Sequence, residues 1–296
     1  MNNQFPKISI VTPNFNQEKF IEETILSVLS QNYPNLEYII IDGGSTDGSV
    51  DIIKKYANQL TYWVSEPDNG MYDAIQKGFE KSTGEIMTYI NSDDLLQKYS
   101  LFTAASIFSR YKQIDWLSGN PNCISEHGQI FYIGSRINWT KYHYLTGNYQ
   151  FIQQEGTFWT RSLWEKAGSS MAVNLSLAGD MELWSRFFKH ANFYSISAIL
   201  GSFRYRSANQ KTLEQFDKYH AEAKEVLKKY IPENAEEAKI VKKQKSIGWK
   251  IIQRLKFIRL MFWFGYKDLY EIFIKTKDYF YFDRITQEYY LMEEDQ

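Results

Sequence analysis

Up to residue 98 the chain alternates short apolar runs with stretches whose apolar residues lie three and four apart, and polar, turn-rich segments separate them. Residues 7–12 (KISIVT) read as a β-branched strand closed by Pro13-Asn14-Phe15-Asn16. Asn16 is placed as the N-cap of a helix with Phe20, Ile21, Ile25, Val28 and Leu29 on its apolar face. Residues 36–41 (LEYIII) form a second strand, apolar in the way a sheet covered on both faces requires. A helix over 50–56, a strand over 60–64, a helix over 71–81 and a fourth strand around Met87 complete the series. Strands joined by helices of this length predict a mostly parallel sheet flanked by helices, an α/β fold.

Beyond residue 98 the pattern is looser. A helix is expected over 99–111, and 116–133 reads as a hairpin turning at Glu126-His127-Gly128. Residues 151–159 lead into a short helix over 161–167, and Met181, Trp184, Phe187 and Phe188 give helical spacing with Asp180 in the first turn. Arg204 and Arg206 follow in a strand-to-loop setting that suits either a diphosphate or an ordinary ion pair. A charged helix over 214–229 breaks at Tyr230-Ile231-Pro232. In 249–264 (WKIIQRLKFIRLMFWF), Ile251, Leu255, Ile258 and Phe262 share one helical face flanked by Lys250, Arg254 and Arg259. That segment fits a helix lying on an anionic membrane surface, a helix packed on the rest of the protein, or a homodimer contact.

The chemistry gathers where the strands stop. Asp42 follows the second strand, Asp68 the third, and Asp93 with Asp94 the fourth. A single such Asp is common in turns and N-caps. Ligands of open α/β sheets, however, bind outside the carboxyl ends of the strands. Three acidic strand ends on one edge make a cleft that repels a bare phosphate unless a hard, oxygen-seeking cation such as Mg²⁺ or Mn²⁺ lies between. For Asp180, dipole stabilisation at a helix start and a catalytic role both fit.

Composition narrows the field. No GxxxxGK[ST] or GxGxxG follows the first strand, which removes P-loop and dinucleotide-binding readings. The single cysteine, Cys123, excludes a disulfide framework, and the four His have no ligand-like spacing. Aromatic residues make up 17% of the chain, a content that suits sugar stacking, interfaces or a bulky core. Nine of the 34 Lys and Arg, and none of the 35 Asp and Glu, lie in 238–267, so an acidic body carries a basic segment near its end. With no signal pattern at the start and no run near 18 apolar residues, the expectation is a cytoplasmic protein, at most peripheral on the inner face of the membrane through 239–267. Nucleic acid is not an expected partner.

Taken together, the ordered segments SIVTPNFNQ, IIIDGGSTDGS, SEPDNGMYDAIQKGFEKSTGEI, NSDD, QQEGTFWTRSLWEKAG and GDMELWSRF resemble the family 2 glycosyltransferases, over roughly residues 7–213. The resemblance implies a GT-A-type domain over 1–213, with a nucleotide-binding half to about 98 and an acceptor half after it. A helical region would occupy 214–296. It also implies inverting transfer of a sugar from a nucleotide diphosphate donor, uridine-linked by family usage, to a carbohydrate or lipid-linked acceptor in bacterial surface polysaccharide synthesis. Asp42 would meet the base of the nucleotide, with Thr12 and Asp68 in the same pocket. Asp93 would face the ribose or sugar, and Arg204 the donor. Asp94 would hold Mn²⁺ or Mg²⁺, and Asp180 would be the general base. Three positions depart from the family pattern: Gly43 stands for a second Asp, Gln76 for an Asn, and Gly179 for an acidic residue before the base. The alternative is a non-catalytic carbohydrate- or partner-binding relative of the same fold. A sugar-nucleotide pyrophosphorylase would need a Gly-rich basic loop where Pro13-Asn14-Phe15-Asn16 stands.

Overall fold

The computed structural model describes residues 5–135, 139–147, 152–206, 214–246, 279–283, 286 and 288–292. The four expected strands form as β1 (Ile8–Asn14), β2 (Leu36–Asp42), β3 (Tyr62–Ser65) and β4 (Ile86–Tyr89). Later in the chain come β5 (Leu95–Leu96), β6 (Trp116–Ser118), β7 (Asn122–Ile124), β8 (Ile130–Ile133), β9 (Thr157–Thr160), β10 (Tyr194–Ile196), β11 (Gly201–Arg204), β12 (Tyr279–Asp283) and β13 (Glu288–Met292). Among the described residues the main sheet runs β13-β12-β10-β6-β9-β4-β1-β2-β3, and a smaller sheet runs β5-β11-β7-β8. β1 is parallel to both β2 and β4, and β2 to β3. Register sets Asn14 beside Asp42 and Asp42 beside Ser65, so three strands deliver polar residues at one level.

Alternation along the strands builds two cores. Ile8, Ile10, Tyr38 and Ile40 pack beneath α1 (Ile21–Leu29), α2 (Ser49–Tyr56) and α4 (Ser100–Arg110). Val11, Ile39, Ile41, Met87 and Tyr89 face α3 (Met71–Lys81), α6 (Arg161–Lys166) and α7 (Gly179–Phe187) on the other side. Aromatic rings crowd this second core. Trp116, Trp139, Trp159, Trp164 and Trp184 are all buried, with Trp116 stacked on Trp184 at 5.3 Å between ring centroids. Rings of this class bury about 150–250 Å² each, or roughly 4–6 kcal/mol at about 25 cal/mol per Å². The placement of α7 is therefore fixed by Trp184 and Phe187, not by surface ion pairs, which are worth about 0–1 kcal/mol.

Three expectations change. Asn16 does not cap the first helix: it sits at φ +52°, accepts the Thr46 amide, and the helix starts one turn later at Ile21. The segment 116–133 is not one hairpin. β6 joins the main sheet between β9 and β10, and only β7 and β8 pair as a hairpin, in the smaller sheet. After the helices α8 (Phe216–Lys229) and α9 (Ala235–Gln244), the chain also adds β12 and β13 to the sheet, with Phe280 fully buried. The helix expected over 249–264, and with it most of the basic segment 239–267, lies outside the described residues. Among those described, no helix is long and apolar enough to cross a membrane.

One glycine makes the two sheets meet. A Cβ on Gly201 would lie 2.0 Å from the Glu155 carbonyl oxygen, a backbone atom that has nowhere to go. Gly201→Ala is expected to destabilise the protein by more than the ~1–3 kcal/mol of ordinary overpacking, read as a lower midpoint in urea unfolding.

Candidate active site

The carboxyl ends of β1 to β4 open onto a cleft of about 560 Å³, within the size range of small-molecule sites. Asn14, Gly43, Asp68, Asp93, Asp94 and Arg206 line it from the sheet side. The segment before α7 (Leu175, Ser176, Leu177) and Lys218 of α8 close it from the other.

Asp42 is fully buried beneath this surface and organises it. Its Oδ1 accepts Asn14 Nδ2 at 2.6 Å and Ser45 Oγ at 2.5 Å, while Oδ2 accepts Ser65 Oγ at 2.6 Å and the Ser45 amide at 2.9 Å. The loop over Gly43 to Ser45 is thereby wrapped around one carboxylate. Thr12 lies in the core, its hydroxyl 3.1 Å from that of Tyr38. A Cβ at Gly43 would come within 2.6 Å of Asp68 Oδ2, so a side chain there would require the Asp68 carboxylate to shift. Asp68 accepts the Gly70 amide at 2.8 Å, and burial raises its pKa.

Asp93 and Asp94 take different partners. Asp93 Oδ2 lies 3.1 Å from Arg206 Nε; burial raises its pKa and Arg206 opposes the shift. Asp94 is 1% exposed, with Oδ1 accepting the Arg204 amide at 2.8 Å and Oδ2 accepting Asn91 Nδ2 at 3.1 Å. Arg204 is not a cleft residue. Its guanidinium is buried, bonded to Glu23 at 2.6 Å and to the carbonyls of Asp93 and Glu126 at 2.6 and 2.9 Å. Arg206, two residues on, is the arginine that reaches the cleft.

Glu155, not anticipated from the sequence, completes the acidic group. It sits in a 3₁₀ turn before β9, is buried, and lies close enough to Asp94 for its charge to raise the Asp94 pKa. Burial, with the neighbouring charges, pushes Glu155 up to about 7 and Asp94 well above the usual carboxylate range. The only forewarning was an acidic residue between the apolar pairs of FIQQEGTFW, since a buried Glu needs a partner.

These residues fit a hard cation. Asn91 Oδ1 and Glu155 Oε2 are buried acceptors that no donor reaches; Asn91 is bonded to Asp94, and Glu155 is near enough for its charge to act on Asp94. Among the described residues no three acidic, His or Cys side chains converge on one point. That leaves a sparse oxygen set of the kind Mg²⁺ and Mn²⁺ complete with substrate phosphates and water.

Asp180 stands in the first turn of α7, directly after the cleft segment 175–177. Its Oδ1 accepts the Met181 amide at 2.7 Å, and its own amide lies 3.4 Å from the Tyr72 hydroxyl. Burial raises its pKa to about 6 against the pull of these donors. Gly179 is explained by the same ring: a Cβ there would lie 2.7 Å from Tyr72, so an acidic residue does not fit. Gln76 likewise serves the local chain, accepting the Met171 amide at 2.8 Å. Glu182 is turned away and pairs with Arg186 at 2.8 Å.

An α/β sheet of this order, with its cleft at the ends of the parallel strands, is a GT-A-type fold. Residues 9–113 match the family model described as glycosyl transferase family 2, so this segment is similar to that family. The chain is similar to TuaG of Bacillus subtilis (strain 168), a glycosyltransferase named for teichuronic acid biosynthesis, with 36% identity over 104 residues. That match covers 34% of this chain and 41% of TuaG. It is also similar to TarS of Staphylococcus aureus (strain Mu50), named a poly(ribitol-phosphate) β-N-acetylglucosaminyltransferase, with 30% identity over 110 residues. Here 36% of this chain and 19% of TarS are covered, so the chain spans less than half the length of either relative. The crystal structure of S. aureus TarS 1–349 in complex with UDP-GlcNAc superposes with a TM-score of 0.62 at 18% identity, over 79% of this chain and 70% of that one. The mannosyltransferase PcManGT from Pyrobaculum calidifontis, in complex with GDP-Man and Mn²⁺, gives 0.54 at 17%, over 75% and 65%. At these identities the likeness is one of fold.

Proposed function

We propose that the protein is an inverting glycosyltransferase that moves a sugar from a nucleoside diphosphate sugar, uridine-linked, to an acceptor hydroxyl. The observation that carries this reading is the cleft itself. Asp68, Asp93 and Asp94 line its sheet side, Arg206 and Lys218 add cationic groups, and Asp180 lies three residues beyond Leu177 of its far wall. Asn14, Gly43 and Asp68 form the nucleotide end, with Asp42 holding the loop in shape from below. Asp94, with Asn91 and Glu155 beside it, would hold Mn²⁺ or Mg²⁺. Such a cation neutralises the charge that develops on a departing diphosphate. Arg206, paired with Asp93 and bonded to Gln17, is the cation for the diphosphate oxygens.

Asp180 acts on the acceptor: its carboxylate takes the proton of the attacking hydroxyl, on the face opposite the leaving group. Glu182 is unsuited to that task because its oxygens are occupied by Arg186, which in turn holds the carbonyls of Ala167 and Ser170. Surface polysaccharide or lipid-linked saccharide is the acceptor class supported by the resemblance. Peripheral attachment to an anionic membrane through 239–267 is supported by charge pattern alone.

A base must be deprotonated to work, and the Asp180 pKa is raised to about 6. The kcat profile is therefore expected to climb with pH through about 6 and level off above it. One unit below that midpoint the rate should be roughly a tenth of the plateau, and a profile flat from pH 5 to 8 would remove Asp180 from the role. The reading as a whole is tested with a panel of nucleotide sugars and Mn²⁺, scored for diphosphate release and thermal stabilisation. Stabilisation without release by any donor, with or without acceptor, would mark a binding protein instead.

A further inference from the structure

The start of α7 is not capped by its own sequence. The residue at its N-cap is Ala178, which has no side-chain acceptor, and amides at a helix entrance need partners from elsewhere. Glu222, on α8, supplies them. Its Oε2 accepts the amides of Leu177 at 2.9 Å and Ala178 at 3.0 Å; the Ser176 amide lies 3.2 Å from both oxygens; and Ser176 Oγ donates to Oε1 at 2.9 Å. Three successive amides and a hydroxyl thus converge on one carboxylate 44 to 46 positions away.

This clamp sits at a consequential place. Ser176 and Leu177 line the cleft, and Asp180 follows two residues after Ala178. α8 is itself tied down, with Tyr219 and Ala223 buried in the core shared with α7 and the Tyr219 hydroxyl 3.9 Å from the Met181 sulfur. One turn before Glu222, Lys218 lines the same cleft. Burial alone would raise the Glu222 pKa, but the amides of Leu177 and Ala178 outweigh it and hold the group low, so it stays ionised as an acceptor.

We propose that Glu222 is a positioning residue for the acceptor side of the cleft: by gathering the amides of Ser176, Leu177 and Ala178 it fixes that wall and the first turn of α7, and through them the place of Asp180. This rests on the reading of Asp180 as the base. The role belongs to a helix outside residues 9–113, where the family model matches. The C-terminal part of the chain therefore contributes to the site and is not only an attachment to it.

Glu222→Gln in the full chain tests this. The amide side chain keeps the shape but turns one of two acceptors into a donor facing other donors. Hydrogen exchange at residues 176–178 is expected to quicken while exchange in β1 and β4 holds. In the same variant kcat should fall roughly tenfold or more, as small misplacements of reacting groups do, with donor dissociation constant unchanged. Glu222→Asp should recover part of the loss. The acid limb of kcat should also move to lower pH, since one of the charges raising Asp180 is removed. Unchanged exchange at 176–178, quicker exchange throughout the sheet, or a fall in donor affinity matching the fall in kcat would each overturn the proposal. Exchange reads the clamp whatever the base is, whereas Asp180→Asn reads the base whether or not the clamp exists, so the two failures are distinguishable.

Discussion

Asp180→Asn is expected to cut kcat by about 10²–10⁴-fold, the usual contribution of a general base, with donor affinity nearly unchanged. The substitution is conservative where structure is concerned. The Asn carbonyl can still accept the Met181 amide that Asp180 Oδ1 accepts at 2.7 Å, and Trp184 and Phe187 still anchor the helix in the core. What is lost is the ability to take a proton. On the proposed reading the donor is held on the opposite side of the cleft, lined by Asp68, Asp93 and Asp94. Glu182→Gln is the matched control. It loosens the pairing with Arg186, so its effect should appear in the melting temperature and leave turnover largely intact. Initial rates alongside donor titration by calorimetry separate the two, and a dead Glu182→Gln with an active Asp180→Asn would reverse the assignment.

The second large effect is expected from Asp94→Ala, which should abolish metal-dependent donor binding while the protein stays folded. Two local effects on stability oppose one another. Losing the acceptor of the buried Arg204 amide costs about 1–3 kcal/mol. Against that, Asp94 is crowded by the charges of Glu155 and Asp93, and its removal relieves both. Folding is therefore expected to change little, and the loss should appear in Mn²⁺-dependent nucleotide-sugar titration. Undiminished activity in the variant, or in the wild type with excess chelator, would dispose of the metal assignment.

The first half of the fold was legible because its signals are local and repeated. A doubly covered parallel strand such as LEYIII is apolar but for Glu37, and its polar terminus marks where the chain leaves the sheet. The acidic strand ends followed from the same pattern. The second half depends on long-range pairing that periodicity does not carry. Nothing local in Trp116 to Ser118 or Thr157 to Thr160 says that β9 inserts between β4 and β6, so local pattern alone places the three residues of β6 in a hairpin. The exchange of Arg204 for Arg206 has a similar cause. A strand's period of two puts both on one face, but β11 ends at Arg204, and only beyond that end does the chain turn an arginine into the cleft. Glu155 and Glu222 were invisible as sites because their partners, Asp94 and the 176–178 amides, lie 61 and 44 to 46 positions away.

The antiparallel insertion of β9 has a consequence for how the chain must assemble. β4 is completed on its far side only when Ile86 and Met87 meet Thr160 and Trp159, some seventy residues later. Until then a nascent chain holding β1 to β4 ends in an open, apolar edge, the kind of surface that pairs with other chains. The loop that must close is long, and pairings of high contact order form slowly. Trp159 and Phe158 then enter the two opposite cores together, so one strand closes both at once. Between synthesis of β4 and arrival of β9 this edge is open to pairing with other chains.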